Sequence, residues 1–225
     1  METIKIDEQV RSRRKTIALV VQPDGRLVVR APLRVSQKII DAFVISKADW
    51  IEKTRQSQVA RRKFFPKREF TAGELFWYLG KQYPLKVAKA QRPFIQFQLG
   101  FSLDEHVFPQ AKKQFEKWYR EQARLYLNER VSHFARLYHF HYQKVRLSSA
   151  RTRWGSCSAR GTLSFTWRLI MTPPEIIDYV VLHELAHTVH HNHSQDFWSL
   201  VQSMVPDYAE KRKWLKHNSH LFHWD

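Results

Sequence analysis

The alternation of apolar and polar residues predicts β-hairpins in the first part of the chain. Residues 15–32 form two β-rich runs around a Pro-Asp-Gly turn at 23–25, in which proline presets φ and glycine accepts a positive φ. Residues 74–87 predict a second hairpin that turns at Gly80, and residues 93–99 alternate as a strand does. We therefore expect the chain to begin with short, antiparallel strands.

Apolar residues spaced three and four apart predict helices in other segments. One helix begins after Ser36, which can cap it, and runs to the mid-fifties. A long amphipathic helix follows between Pro109 and about Tyr142, where no glycine or proline interrupts the pattern. A third hairpin over 144–170 turns at 158–161 and leads into a helical last third. This order predicts an α+β fold in which the helices are segregated from an antiparallel sheet.

Length and composition favour a folded protein of two parts. The 225 residues are 43% hydrophobic and 14% aromatic, which is enough to bury a sizeable core. We expect a β-rich N-terminal part with one helix over residues 1–105 and a second domain over residues 106–225. No apolar run approaches the roughly 20 residues that span a bilayer, and the first residues lack a secretory signal. The expectation is a cytoplasmic protein that does not bind a membrane.

Charge widens the range of expected partners. The formal net charge is +17, and basic residues are densest at positions 53–68. This stretch also contains Phe64 and Phe65, so it could bind nucleic acid or another anionic partner. It could equally be a solvated helix end and loop that keeps the protein soluble.

The most distinctive stretch is VVLHELAHTVHHNHSQDFW, residues 180–198. Thr172 and Glu175 enclose two prolines, and this is a strong helix start with a capping box. A helix over about 172–191 would be strongly apolar and largely buried, so its histidines would lie inside the protein or line a cleft. The single cysteine, Cys157, cannot form an intramolecular disulfide or a thiolate cluster, and any metal must therefore be held by His, Asp or Glu.

The spacing of His183 and His187 suits a metal ion. Four residues on a helix correspond to one turn, so both imidazoles can reach one ion at the roughly 2.0 to 2.1 Å of zinc–nitrogen bonds. Glu184 lies close enough to take a proton from water at that ion without binding the ion itself. This is the physical content of the H-E-x-x-H motif.

A third ligand has to come from beyond the motif. His190 lies about 10.5 Å along the helix axis from His183, too far to share one ion on a straight helix. Asn192 tolerates a left-handed conformation and can end the helix, so that the chain turns back and His193 reaches the metal. Ser194 then caps a further helix whose apolar side would hold His193 in place.

The residues RWGSCSARGTLSFTWRLIMTPPEIIDYVVLHELAH, followed by NHSQDFW, closely resemble the YgjP-like family of zinc-dependent metallopeptidase-type proteins, which is related to the WLM and SprT-like groups. The resemblance implies a zincin-like catalytic domain behind a β-rich N-terminal part. It maps the metal ligands onto His183, His187 and His193, and a catalytic glutamate onto Glu184. His190 stands where the related motif H-E-x-x-H-x-x-G-x-x-H has glycine. Details of the proteins with that motif are therefore not assumed for this chain.

These residues predict a zinc hydrolase. Three neutral histidines leave the ion its full charge and an open position for water, from which Glu184 would take the proton during attack on a peptide bond. Arg168 is the first candidate to stabilise the developing oxyanion, with His190 and Tyr208 behind it. The strand TLSFTW at 162–167 could bind an extended peptide by adding a strand.

Two classes of function stay open. The first is a peptide or protein hydrolase, in one form recruited to nucleic acid by the basic surface. The second is a zinc hydrolase of a small anionic substrate such as a nucleotide, whose phosphates Lys and Arg would hold near the metal. A purely structural zinc is disfavoured by Glu184. A nucleophilic or zinc-blocking Cys157 is conceivable, but a small residue in a tight hairpin is the simpler interpretation.

Overall fold

The computed structural model of the chain describes residues 4–22, 24–64 and 68–222, with only the backbone described at 57–64. The chain divides into two compact units, Met1–Pro66 and Lys67–Asp225. None of the helices in these described ranges combines the length and the apolarity needed to cross a bilayer.

The first unit is a small sheet with two helices. Its elements, in chain order, are β1 Glu8–Ser12, β2 Ala18–Val21, β3 Leu27–Pro32, α1 Gln37–Ile45 and α2 Ala48–Phe64. The predicted hairpin is present as β2 and β3, which pair antiparallel, and Gly25 in its turn has a φ of 86°. Pro23, the proline of the predicted turn, lies outside the described residues. β1 was not predicted, and it pairs parallel to β3.

The single helix expected after Ser36 is two helices. α1 ends at a C-cap, Ser46, whose hydroxyl donates to the carbonyl of Phe43, and α2 begins two residues later. The break lets α1 and α2 each bury apolar residues, among them Ile40 and Ile51, in the small core of this unit. Ser36 is the N-cap residue by position, but its side chain makes no capping hydrogen bond.

The second unit contains the remaining strands and helices. In chain order these are β4 Leu75–Tyr78, β5 Lys81–Ala88, β6 Ile95–Phe97, β7 Phe101–Asp104, α3 Ala111–Leu137, β8 Lys144–Ser148, β9 Gly155–Cys157, β10 Thr162–Thr166, α4 Pro174–Ala186, α5 Gln195–Met204 and α6 Tyr208–Asn218. Short 3₁₀ helices cover Glu105–Gln110, Trp167–Met171 and Ser219–Phe222.

The strands of this unit form two sheets in the described part of the chain, ordered β4-β5-β7-β6 and β8-β10-β9. The predicted hairpins β4–β5 and β9–β10 are antiparallel, whereas β5 pairs parallel to β7 and β8 pairs parallel to β10. The α+β class is therefore confirmed, with small mixed sheets in place of the expected antiparallel sheet. Each parallel pair has one strand between its two partners along the chain. The chain reverses direction once into that strand and once out of it, so the two partners run in the same direction.

The long helix α3 explains why the units divide near residue 66 and not at the expected residue 105. Phe115 of α3 stacks on Phe76 of β4, with 4.3 Å between ring centroids, and lies 5.3 Å from Phe101 of β7. Tyr119 of α3 donates its hydroxyl to the carbonyl of Trp77. The sheet of β4 to β7 thus shares one core with the helices that follow, so it belongs to the second unit.

Several contacts fix the position of α4. The backbone nitrogens of Leu79 and Gly80, at the tip of the β4–β5 hairpin, donate to the carbonyls of Ile170 and Met171 at 2.9 and 3.0 Å. Gly80 has a φ of 78°, and a Cβ there would lie 2.7 Å from Cα of Pro173, the N-cap of α4. Because of this close approach, only glycine fits the tip.

The start of α4 differs from the predicted capping box. Thr172 is buried, and its hydroxyl donates to the carbonyl of Leu169 instead of capping the helix. Pro174 occupies the first position of the helix, as expected, whereas Pro173 is its N-cap. Farther along α4, Asp178 accepts two hydrogen bonds from Arg130 of α3, at 2.7 and 2.8 Å, and this ion pair joins the two helices.

Candidate metal centre

The motif helix α4 is shorter than predicted. It ends at Ala186, with His187 as its C-cap, and tight turns follow in which the nitrogens of Val189 and His190 donate to the carbonyl of Ala186. The expected end near residue 191 is therefore wrong, and Asn192 does not have the positive φ that was predicted for the reversal. The chain turns back earlier, immediately after the second histidine of the motif.

This turn brings His183, His187 and His193 together. One ring nitrogen from each of them lies within 4.8 Å of the other two, and Nε2 of His183 is 3.2 Å from Nε2 of His193. In the described part of the chain, this is the one group of three or more His, Cys, Asp or Glu residues with such spacing. His183 and His187 are partly buried, whereas His193 is exposed.

The donor set fits a zinc ion. Two nitrogens bound tetrahedrally at about 2.05 Å lie about 3.3 Å apart, close to the 3.2 Å between His183 and His193. Nδ1 of His187 lies 2.9 Å from the carbonyl oxygen of His190, and because a carbonyl can only accept, Nδ1 carries the proton. Nε2 of His187 is then left unprotonated as a ligand. His190, excluded by spacing as a ligand, thus orients one through its backbone.

The surroundings of His183 and His193 favour neutral imidazoles, the form that binds metals. Burial, the adjacent His187 and His193, and the charge of Arg212 together lower the pKa of His183 to about 3. Burial also lowers the pKa of His193. Among the described residues, Nδ1 of His183 is buried with no hydrogen-bond partner.

Aromatic residues of α5 support the three histidines. The buried ring of Phe197 stacks on His187 at 4.4 Å and meets His183 and His193 edge-on at 5.0 and 4.8 Å. Trp198 stacks on His193 at 5.4 Å. The hydroxyl of Ser194 accepts from the nitrogen of Phe197, which confirms the predicted cap of α5. As expected, the apolar side of this helix packs on the third histidine.

Glu184 lies on the buried side of α4, with 5% of its surface exposed. Burial raises its pKa to about 8, and the charge of Arg153 opposes that rise. A dication among the histidines would also favour the carboxylate form. Within the described residues, Oε2 of Glu184 is buried without a hydrogen-bond partner.

Gly155 of β9 makes room for this carboxylate. A Cβ at position 155 would lie within 2.6 Å of Cγ and 2.8 Å of Cδ of Glu184, and closer still to Oε1. No side chain fits between β9 and α4 at this position. In residues 154–157, WGSC, the sequence drew attention to Cys157 and gave no signal for this role of Gly155.

A cleft opens beside His183 and Glu184. Residues from β9, from the position before β9, from α4 and from α6 line this cleft. They are Trp154, Gly155, Tyr179, Val180, His183, Glu184 and Leu215. Tyr179 was not predicted, although its position one turn before His183 places it on the same helix face, which is a readable signal. Burial raises the pKa of Tyr179 to about 12, so its phenol stays protonated and can donate a hydrogen bond.

Arg168, the predicted oxyanion donor, does not appear among the described residues that line the cleft. It is buried in the 3₁₀ helix before α4, where its guanidinium lies over the ring of Trp167 and Nη1 donates to the carbonyl of Ser149. These contacts favour a structural role, while its part in the reaction stays a prediction. Tyr208, a reserve candidate, stacks on Trp198.

Two other sequence interpretations change. The strand TLSFTW falls on β10, which lies between β8 and β9, so both of its edges are paired. The edge strand next to the motif helix is β9. Cys157 is partly buried at the end of β9, and burial followed by the charge of Glu184 raises the pKa of its thiol. A raised pKa disfavours the thiolate that a nucleophile requires.

A buried glutamate within an H-E-x-x-H motif, whose two histidines converge with a third from the following turn, is typical of metallopeptidase-type proteins. The family described as "YgjP-like, metallopeptidase domain" matches residues 15–218, nearly the whole chain. The protein belongs to this family, which confirms the resemblance found in its sequence. No curated protein and no solved structure matches the chain.

Proposed function

We propose that the protein is a zinc-dependent peptidase in which Glu184 acts as the general base. The observation that carries the proposal is a buried carboxylate, Glu184, in a cleft that is also lined by His183, one of three convergent imidazoles. Membership of a metallopeptidase-type family supports a hydrolase with a peptide substrate.

His183, His187 and His193 would hold the ion. When bound, zinc supplies a Lewis acid that polarises a carbonyl and lowers the pKa of water to about 7. An Oε atom of Glu184 accepts the proton of the attacking water and passes it to the leaving nitrogen. The contact with Gly155 restricts where this carboxylate can lie, so the base is oriented before substrate binds.

Tyr179 is a neutral donor in the cleft that can stabilise the developing oxyanion. Its phenol shares the cleft with His183 and Glu184 and keeps its proton at neutral pH. A hydrogen bond that strengthens as charge develops on the substrate oxygen lowers the barrier and not just the Michaelis constant.

The edge strand β9 offers a binding surface for an extended substrate. Within the described residues it pairs on one side only, with β10, and Gly155 at its start lines the cleft. A peptide that adds as a strand along β9 would run past Glu184. This geometry favours a peptide over a compact small molecule.

The test compares wild type with Glu184→Gln after both are loaded with zinc. We expect the variant to keep one zinc per chain and to lose about 100-fold to 10,000-fold in peptide hydrolysis, because a general base contributes that much. Glu175→Gln removes an exposed carboxylate from the first turn of the same helix and serves as the matched control. Peptide hydrolysis that survives in zinc-loaded Glu184→Gln would refute the role of the base.

The second class of function, hydrolysis of a small anionic substrate, requires cations near the site. The charges of Arg153 and Arg212 do act on Glu184 and on His183, respectively. Nucleotides therefore belong in the same assay as peptides. A zinc-loaded protein that hydrolyses a nucleotide and no peptide would replace the proposed function with this alternative. The predicted basic stretch at 53–68 lies largely on residues whose side chains are outside the described part of the chain.

A further inference from the structure

Arg212 does not itself line the cleft, but it places a positive charge near the three histidines. It lies on α6 three residues before Leu215, a cleft residue, and therefore one turn away on the same helix face. Its Cζ lies 5.1 Å from the ring centroid of Trp198. The residue is exposed, and within the described ranges no carboxylate forms an ion pair with it.

The indole of Trp198 connects this cation with the metal centre. Trp198 stacks on His193 at 5.4 Å and lies 5.8 Å from His183, measured between ring centroids. Its stacking on Tyr208, at 5.1 Å and 19°, fixes the plane of the indole from α6 as well. The guanidinium of Arg212 thus packs on the same ring as a predicted metal ligand.

A cation at this position does not help to hold the metal, since like charges repel. The contact with Trp198 is a cation–π contact and uses none of the hydrogen-bond donors of the guanidinium on an acceptor oxygen. A guanidinium edge matches the two oxygens of a carboxylate in a bidentate pair. What this site lacks is an acidic partner, and the substrate is the molecule that can bring one.

We propose that Arg212 binds a carboxylate of the peptide substrate next to the scissile bond, and so makes the protein selective for peptides that carry a negative charge there. The carboxylate comes either from the C-terminus of the peptide or from an acidic side chain. This inference rests on the proposed peptidase function and names the substrate class of the same site.

The test uses matched peptides with zinc-loaded wild type and Arg212→Gln. One pair differs in a free or amidated C-terminus, and a second pair has Glu or Gln next to the cleaved bond. We expect Arg212→Gln to lose at least about 10-fold in kcat/KM on the charged peptide, mainly through KM, and less than about 3-fold on its neutral partner. The pair that shows the loss identifies the source of the carboxylate.

Two further variants control for charge and for folding. Lys213→Gln removes the neighbouring exposed charge of α6 and should leave the preference unchanged. Arg212→Lys keeps the charge without the bidentate edge and should retain part of the preference. Equal losses on charged and neutral peptides in Arg212→Gln, or the same loss in Lys213→Gln, would overturn the inference.

Calorimetric titration separates this inference from the proposed function. Zinc-loaded Glu184→Gln should bind the charged peptide about 10-fold more tightly than its neutral partner, and adding Arg212→Gln should abolish the difference. If wild type cleaves no peptide, the proposed function fails, while the titration still decides on Arg212. Unchanged binding in the double variant would overturn the role of Arg212 even if peptides are cleaved.

Discussion

Gly155 is the position at which the smallest change should have the largest effect on activity. In Gly155→Ala, the added methyl group would lie within 2.6 Å of Cγ and 2.8 Å of Cδ of Glu184, where an ordinary contact needs about 3.4 Å or more. Either β9 shifts away from α4 or the carboxylate turns aside. The side chain of Glu184 is the softer element, because α4 is fixed by its buried face and by the ion pair of Asp178 with Arg130.

The effect on folding should be small compared with the effect on activity. Overpacking costs about 1–3 kcal/mol, whereas replacing glycine by alanine in an ordinary conformation returns about 0.4–1 kcal/mol. We therefore expect a net loss of about 0–2.5 kcal/mol, or a decrease in Tm of up to about 10 °C for a chain of this size. A misplacement of about 1 Å in a catalytic group costs about 100-fold in rate, so kcat/KM should fall by about that factor.

The assay measures kcat/KM, zinc content and Tm on the same preparations. Ser156→Ala on the next residue of β9 is the matched control and should behave as wild type. We expect Gly155→Ala to keep its zinc, because the substituted position faces Glu184 and not the histidines. A variant with full zinc and activity within about 3-fold of wild type would show that the position of the carboxylate does not matter, and would refute the reasoning.

Two further substitutions test the surroundings of the site. Phe197→Ala removes the ring that contacts all three histidines. We expect a loss of about 3–5 kcal/mol in stability, measured by thermal unfolding, and a weaker zinc affinity, measured by competition with a chelator. Unchanged zinc affinity would contradict the role of Phe197 as support for the histidines. Arg168→Gln should lower Tm and leave kcat/KM of the folded protein within about 3-fold of wild type, because Arg168 contacts Trp167 and Ser149. A loss of about 100-fold in kcat/KM at unchanged Tm would instead establish Arg168 as the oxyanion donor.

The features that could be predicted from sequence are those set by local spacing. The hairpin that turns at Gly80, the helix α3 and the pair of His183 and His187 all follow from short-range periodicity and turn residues. The structure also brings His193 to this pair, but without the left-handed residue at Asn192 that was predicted for the reversal. The actual turn depends on backbone hydrogen bonds directly after the second histidine, which a residue preference does not reveal.

The features that could not be predicted depend on contacts between distant segments. The parallel pairing of β8 with β10 and the shared core of β4–β7 with α3 are set by packing, and the sequence pattern is compatible with other pairings. Gly155 and Arg212 reach the site from β9 and α6, so no spacing along the chain connects them with Glu184. Arg168 was predicted from its closeness in sequence to the motif helix, whereas its side chain contacts Trp167 and the carbonyl of Ser149.

The most direct test of the metal centre is the zinc affinity of His193→Ala. His191→Ala removes an exposed histidine two residues away, outside the group of three, and is the matched control. We expect wild type and His191→Ala to bind one zinc per chain with equal affinity, and His193→Ala to bind at least about 100-fold more weakly because one of three protein ligands is lost. If His193→Ala binds zinc as tightly as His191→Ala does, the three-histidine site is wrong.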